Sequence, residues 1–134
     1  MNLEKRYIDE KDIENSFFFD TYAIFEILKG NEKYMKYKDS KISLTKLNLF
    51  ELYSGILREV DEKNAKNELD KYYNFSIDFD KETIEEAAKM KLVLNKRNIS
   101  MTDCIGYILS KRLGIKFLTG DKEFENLKNV EFVK

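Results

Sequence analysis

The chain alternates short continuous apolar runs with longer stretches in which apolar positions recur every three or four residues. Ser16-Phe17-Phe18-Phe19 is the first run, the form taken by a strand buried on both faces of a parallel sheet. Asp20 ends it, a helix is predicted over 21–29, and Gly30 supplies a C-terminal stop. A second strand is predicted over 41–44. Over 45–60, Leu49, Leu52, Tyr53, Ile56, Leu57 and Val60 fall on one helical face. Another helix is predicted over 62–72 and a third strand over 74–77. The helix predicted over 83–97 has Ile84, Ala87, Ala88 and Lys91-Leu92 in step. That over 102–113 has Ile105, Ile108, Leu109 and Leu113 on one side and Gly114 at its cap. Strands at 115–119 and 130–133 bring the count to five. Strands alternating with helices imply βαβ units. The predicted fold class is therefore α/β: a three-layer α/β/α arrangement around a central, mostly parallel five-stranded sheet. Residues 1–15 are densely charged and form a predicted N-terminal extension, leaving 16–134 as one domain.

Composition narrows the chemistry. The 134 residues include no His, no Trp, no Pro and a single Cys, Cys104. No His-based triad, imidazole base, His-ligated zinc or intramolecular disulfide is available. Any metal held by such a chain is a hard one bound through oxygen. With Lys+Arg 24 against Asp+Glu 25 there is no overall basic footprint, so nucleic-acid contacts must come from local charge such as Lys46, Lys122 or Lys111-Arg112. The aromatics Phe17 to Phe19, Phe50 and Tyr53 are assigned to the core. A charged start without a signal peptide, no apolar run long enough to span a membrane and a lone Cys predict a cytoplasmic location and no membrane partner.

Four carboxylates stand out by position. In a parallel sheet all strands end on one edge, where ligands bind. Asp20 closes the first strand, and Asp121 follows the fourth by one Gly. Crossover helices run antiparallel to the strands and begin at that same edge. This brings in Glu51, early in the second predicted helix, and Asp103, at the start of the 102–113 helix. Each has an ordinary structural role open to it. Asp20 and Asp121 suit helix caps, Ser100-Met101-Thr102-Asp103 suits a capping box, and Glu51 suits a solvated face. Four like charges in one crevice nevertheless repel, and a divalent cation relieves that repulsion. A metal so held can neutralise a phosphodiester and activate water without His. Direct ligation of such an ion is assigned first to Asp20 and Asp103, with Glu51 and Asp121 acting directly, through water or beside a second ion.

The blocks that carry these acids resemble those of the PIN-domain nucleases, in particular the small prokaryotic VapC-type toxins. Phe17-Phe18-Phe19-Asp20-Thr21-Tyr22-Ala23-Ile24 resembles the opening strand and its Asp-Thr/Ser pair. Leu44-Thr45-Lys46-Leu47-Asn48-Leu49-Phe50-Glu51-Leu52, followed by Gly55, resembles the Glu-bearing helix. Ile99-Ser100-Met101-Thr102-Asp103-Cys104-Ile105 resembles the third block, and Phe117-Leu118-Thr119-Gly120-Asp121-Lys122-Glu123-Phe124 the fourth. The resemblance implies a single-stranded RNA endonuclease using Mg²⁺ or Mn²⁺, with sheet order 3-2-1-4-5. It implies Asp20, Glu51, Asp103 and Asp121 as catalytic metal ligands, with Thr21 and Thr119 as supporting hydroxyls. A toxin of this type also implies an RNA substrate, a small antitoxin partner and a homodimer formed through helices near the N-terminal half. Two positions depart from the pattern: Tyr22 stands where many members have Asn or Ser, and Gly120 where many have Arg. The competing readings are a catalytically silent partner-binding domain of the same fold and a receiver-like phospho-signalling domain. The latter wants an acidic pair after its first strand and a Lys after its last; the chain has Asp20-Thr21 and, beyond Phe132-Val133, only Lys134.

Overall fold

The computed structural model describes residues 13–94 and 98–134. The predicted extension over 1–15 lies outside the described residues except for its last three. Strand β1 (Ser16–Phe19) is buried along its whole length. It pairs in parallel with β2 (Lys41–Ser43), Phe17 opposite Ile42, and with β3 (Lys116–Thr119), Phe18 opposite Phe117. Strand β4 (Val130–Phe132) extends β3, giving a parallel sheet of order β2-β1-β3-β4.

Side chains alternate across a strand, and the phenylalanine run therefore divides between two cores. Phe17 and Phe19 face helices α1 (Thr21–Leu28) and α3 (Lys46–Glu59), packing with Ile24, Leu49, Leu52 and Ile56. Phe18 faces helix α6 (Met101–Leu113) on the other side, with Ile105, Ile108, Phe117 and Phe124. Two apolar faces under two helical layers make the predicted three-layer sandwich. The contact on the second face is close: a Cβ at Gly106 of α6 would lie 2.6 Å from the Phe18 ring and 3.2 Å from that of Phe117.

The sheet has four strands, not the five expected. The 74–77 segment contributes one parallel bridge, Leu44 to Ser76, with Ile77 N donating to Leu44 O at 2.8 Å. Its would-be partner runs out at that point, because Thr45 is already the N-cap of α3. On the other side Asn74 still closes α4 (Glu62–Tyr73). A single residue of overlap remains, which places the segment beside β2, as the order 3-2-1-4-5 requires, but makes no strand of it.

Helix α5 (Lys81–Val93) packs along α6 through Ala87 and Met90, with Thr83 also buried on that side. Ile84 and Leu92, expected in its apolar stripe, are instead exposed. The stretch over 45–60 is likewise trimmed: Leu49, Leu52 and Ile56 are buried, whereas Leu57 and Val60 face solvent. A short helix, α2 (Glu32–Met35), was not foreseen. Its Tyr34 hydroxyl donates to Val133 O at 2.6 Å, and Tyr37 just beyond it donates to Glu131 Oε2 at 2.6 Å, tying the α1–β2 connection to the C-terminal strand. Gly30 and Gly114 both adopt positive φ, 79° and 72°, as the predicted helix stops require. Among the described residues no helix is long and apolar enough to cross a membrane.

Candidate active site

The C-terminal ends of β1 and β3 and the start of α6 open onto one cleft of about 420 Å³, whose lining includes Asp20, Glu51, Asp103 and Asp121. The four acids of the sequence argument thus share one site.

Asp20 sits at its floor, 2% exposed, as the N-cap of α1. One carboxylate oxygen accepts from Ala23 N at 2.8 Å and the other from the Thr119 hydroxyl in a short hydrogen bond. Thr119 Oγ in turn accepts from Asp121 N at 3.0 Å, and Asp121 Oδ1 accepts from Glu123 N at 3.0 Å at the head of a 3₁₀ turn (Lys122–Phe124). The hydroxyl at the end of β3 therefore joins the acid at the end of β1 to the backbone N–H of Asp121. Asp103 occupies the first turn of α6, where the helix dipole favours a negative charge; its N–H donates to the Ser100 N-cap hydroxyl at 3.1 Å.

Glu51 is held by a chain of polar groups that the sequence reading only half identified. Thr21 Oγ donates to Glu51 Oε1 at 2.6 Å and accepts from Asn48 Nδ2 at 3.2 Å. The Asn48 carbonyl accepts from both the backbone N–H (3.0 Å) and the hydroxyl (2.9 Å) of Thr45. Asn48, buried and one helical turn before Leu52, carries no charge and marked no site by residue type. Its signal was its place: a buried amide in the first turn of a helix must find partners.

The electrostatics are those of uncompensated acids. Burial pushes the Asp20 carboxyl up to about 8, with Asp103 and Asp121 adding to the rise against the opposing hydrogen bonds from Thr119 and Ala23. Burial, with Glu51 and Asp121 nearby, raises Asp103 to about 6 against the Ser100 hydrogen bond. Among the described residues none of the four forms an ion pair. Four oxygen donors without a counter-ion fit a hard divalent cation, the only class of metal this composition admits. Among the described residues no three acids stand as a finished ligand cage, so the fit rests on donor chemistry and unneutralised charge.

Cations and aromatics fall differently from expectation. Arg112 pairs with Asp80 (3.2 Å) and Glu86 (3.3 Å) toward α5, and Lys111 lies over the Tyr107 ring. The cation in the cleft wall is Arg58, whose own partner is the exposed Glu59. Phe17 to Phe19 are core as expected, but Phe50 is 73% exposed at the cleft rim. Tyr22 also lines the cleft, and it accounts for Gly120: a Cβ there would collide with the Tyr22 ring and lie 2.6 Å from both the Tyr34 hydroxyl and Val133 O.

Residues 17–130 match the family model of the PIN domain. No curated protein sequence matches the chain. Among solved structures the fold is similar to a toxin–antitoxin complex from Klebsiella pneumoniae, at TM-score 0.66 and 14% identity over 85% of this chain and 94% of that one. DNA-bound VapBC from Salmonella typhimurium gives TM-score 0.67 and 16% identity over 88% and 96%. FitAcB from Neisseria gonorrhoeae gives 0.65 and 20% over 87% and 96%. The family match spans all four site acids and the helices α3 and α6 that carry Glu51 and Asp103, and the chain belongs to the PIN domain family.

Proposed function

We propose that this chain is an endonuclease that hydrolyses phosphodiester bonds of single-stranded RNA with Mg²⁺ or Mn²⁺, and that it acts as the toxin of a toxin–antitoxin pair in the cytoplasm. The observation that carries the reading is the convergence of Asp20, Glu51, Asp103 and Asp121 on one cleft without a cationic partner among the described residues. A divalent ion bound there supplies charge neutralisation at the phosphate and a more acidic water.

The chain's own residues do the rest. Asp20 and Asp103 hold the ion, and both must shed their protons to do so. Thr119 keeps Asp20 oriented, while Thr21, braced by Asn48, points Glu51 into the cleft. Asp121 takes its place from the β3 end through Thr119. The toxin role draws on the folds it resembles, which include toxin–antitoxin complexes. A small antitoxin covering the cleft, and a homodimer, belong to the same reading.

The test is incubation of the purified protein with a mixed RNA pool in Mn²⁺, Mg²⁺ or EDTA beside Asp103→Asn. Cleavage that needs the ion and is lost in the variant supports the reading. Cleavage indifferent to EDTA, or retained in Asp103→Asn, overturns it. No cleavage under any condition favours a silent partner-binding domain.

A further inference from the structure

Along α3, Lys46, Phe50, Ser54 and Arg58 recur every fourth residue and form one ridge. Phe50, Ser54 and Arg58 line the acidic cleft. Phe50 also forms the edge of the neighbouring depression, which contains Lys46, Tyr53 and Tyr73. There the Lys46 ammonium lies 5.9 Å from the centroid of the Tyr73 ring, itself 51% exposed. A large ring held at the boundary of two clefts, next in sequence to a site acid and flanked by cations, has no packing role to explain it. We propose that Phe50 is a stacking platform for a base of the single-stranded substrate, with Arg58 and Lys46 meeting phosphates on its two sides. This rests on the nuclease reading and adds which residues grip the strand.

The dimensions suit a nucleic acid. With a rise of about 1.5 Å per residue, Lys46 stands ~6 Å before Phe50 along the helix and Arg58 ~12 Å beyond it. Those intervals match roughly one and two phosphate steps of an unstacked strand. Every base has a π-face, so a single exposed ring can hold a strand without reading its sequence. The cations are available for the role. Among the described residues Lys46 has no acid partner, and Arg58 has only Glu59, in a pair exposed enough to exchange freely. The strand would pass over Phe50 with its neighbouring phosphate beside Glu51 and the other site acids.

The chain has no Trp, so Phe50→Trp places a single indole at the platform, excited selectively on the red side of tyrosine absorption. The probe is a short mixed-sequence single-stranded RNA, added in EDTA so that nothing is cut, beside the same RNA as a duplex and a ribose-phosphate strand lacking bases. Saturable quenching of Phe50→Trp by the single strand, absent with the baseless strand, is the expected result. Phe50→Ala and Phe50→Leu are expected to weaken binding fivefold to a hundredfold, the range of stacking one base on an aromatic. With Mg²⁺ present they are expected to raise KM by a similar factor while leaving kcat within about twofold; Phe50→Tyr restores both. Phe50 is exposed, so unchanged far-UV circular dichroism is expected for all four variants.

RNA binding and KM unmoved by Phe50→Ala and Phe50→Leu overturn the platform and leave the ring to a protein partner. Quenching as strong with the baseless strand also overturns it, because the contact is then to the backbone. The two proposals fail separately. Cleavage by wild type with unaltered kinetics in Phe50→Ala removes the platform and keeps the nuclease. Base-dependent quenching without metal-dependent cleavage keeps the platform and removes the nuclease.

Discussion

Asp20→Asn separates the cost of the site from its use. In the metal-free protein Asp20 is almost fully buried, accepts only two hydrogen bonds and faces Asp103 and Asp121. Its carboxyl is raised from 3.8 to about 8. A carboxyl raised on folding holds, in the folded state, a proton that the unfolded chain has released. Stability is then lost as pH rises through the window from about 4 to about 8. At about 1.4 kcal/mol per pH unit, that loss reaches at most about 4 kcal/mol by pH 7. Asparagine removes the titration, keeps a side chain of equal N-cap quality and still accepts from Ala23 N. It mispairs one hydrogen bond with Thr119, at a cost of about 1 kcal/mol.

In EDTA, Asp20→Asn should therefore be more stable than wild type by about 2–3 kcal/mol at pH 7, and no more stable at pH 4. The assay is urea unfolding followed by circular dichroism at pH 4, 5.5, 7 and 8. Mg²⁺ should then stabilise wild type and leave the variant unmoved, while cleavage disappears in the variant. Parallel pH profiles for the two proteins between pH 4 and 8 would refute the reasoning, because Asp20 would then carry no unrelieved burial.

Metal affinity should rise between about pH 6 and pH 8, because Asp103 (about 6) and Asp20 (about 8) must both deprotonate to ligate; calorimetric titration with Mn²⁺ at several pH values checks this. Asn48→Ala should cost about 1–3 kcal/mol by stranding the buried Thr45 groups, and should lower cleavage at limiting Mg²⁺ by freeing Thr21 and Glu51, as read from unfolding and rate curves. Gly106→Ala should destabilise by about 1–3 kcal/mol, measured by urea, because its methyl meets the Phe18 and Phe117 rings. Gly120→Ala should impair folding or activity, and Tyr22→Ser in the same chain should recover part of the loss; additive losses in that double-mutant cycle refute the contact.

What the sequence disclosed and what it withheld have physical causes. The four acids were legible because chain direction alone places strand ends and crossover-helix starts on one edge of a parallel sheet. No side-chain detail was needed for that. The phenylalanine run was legible for a related reason: a strand buried on both faces needs no alternation. The fifth strand was not, because 74–77 has strand-like residues but its neighbour turns into α3 one residue too early. That is a property of the partner, invisible in the segment itself. The edge of the α3 face and most of the α5 face were misplaced in the same way. Phe50, Leu57, Ile84 and Leu92 are apolar on short helices whose periodicity admits two adjacent stripes, and only tertiary packing chooses between them.

The two departures from the family pattern, Tyr22 and Gly120, stand far apart in the chain and share no motif, yet they meet in space. The Tyr22 ring lies where a side chain at 120 would project, and Tyr34, from the unforeseen helix α2, closes the same gap by donating to Val133 O. A residue that fills a space and a residue that leaves it empty are then one packing arrangement, with an aromatic wall beside Asp20 and no side chain at 120. The cleft therefore keeps its acids but presents aromatic surface on both sides, Tyr22 on α1 and Phe50 on α3.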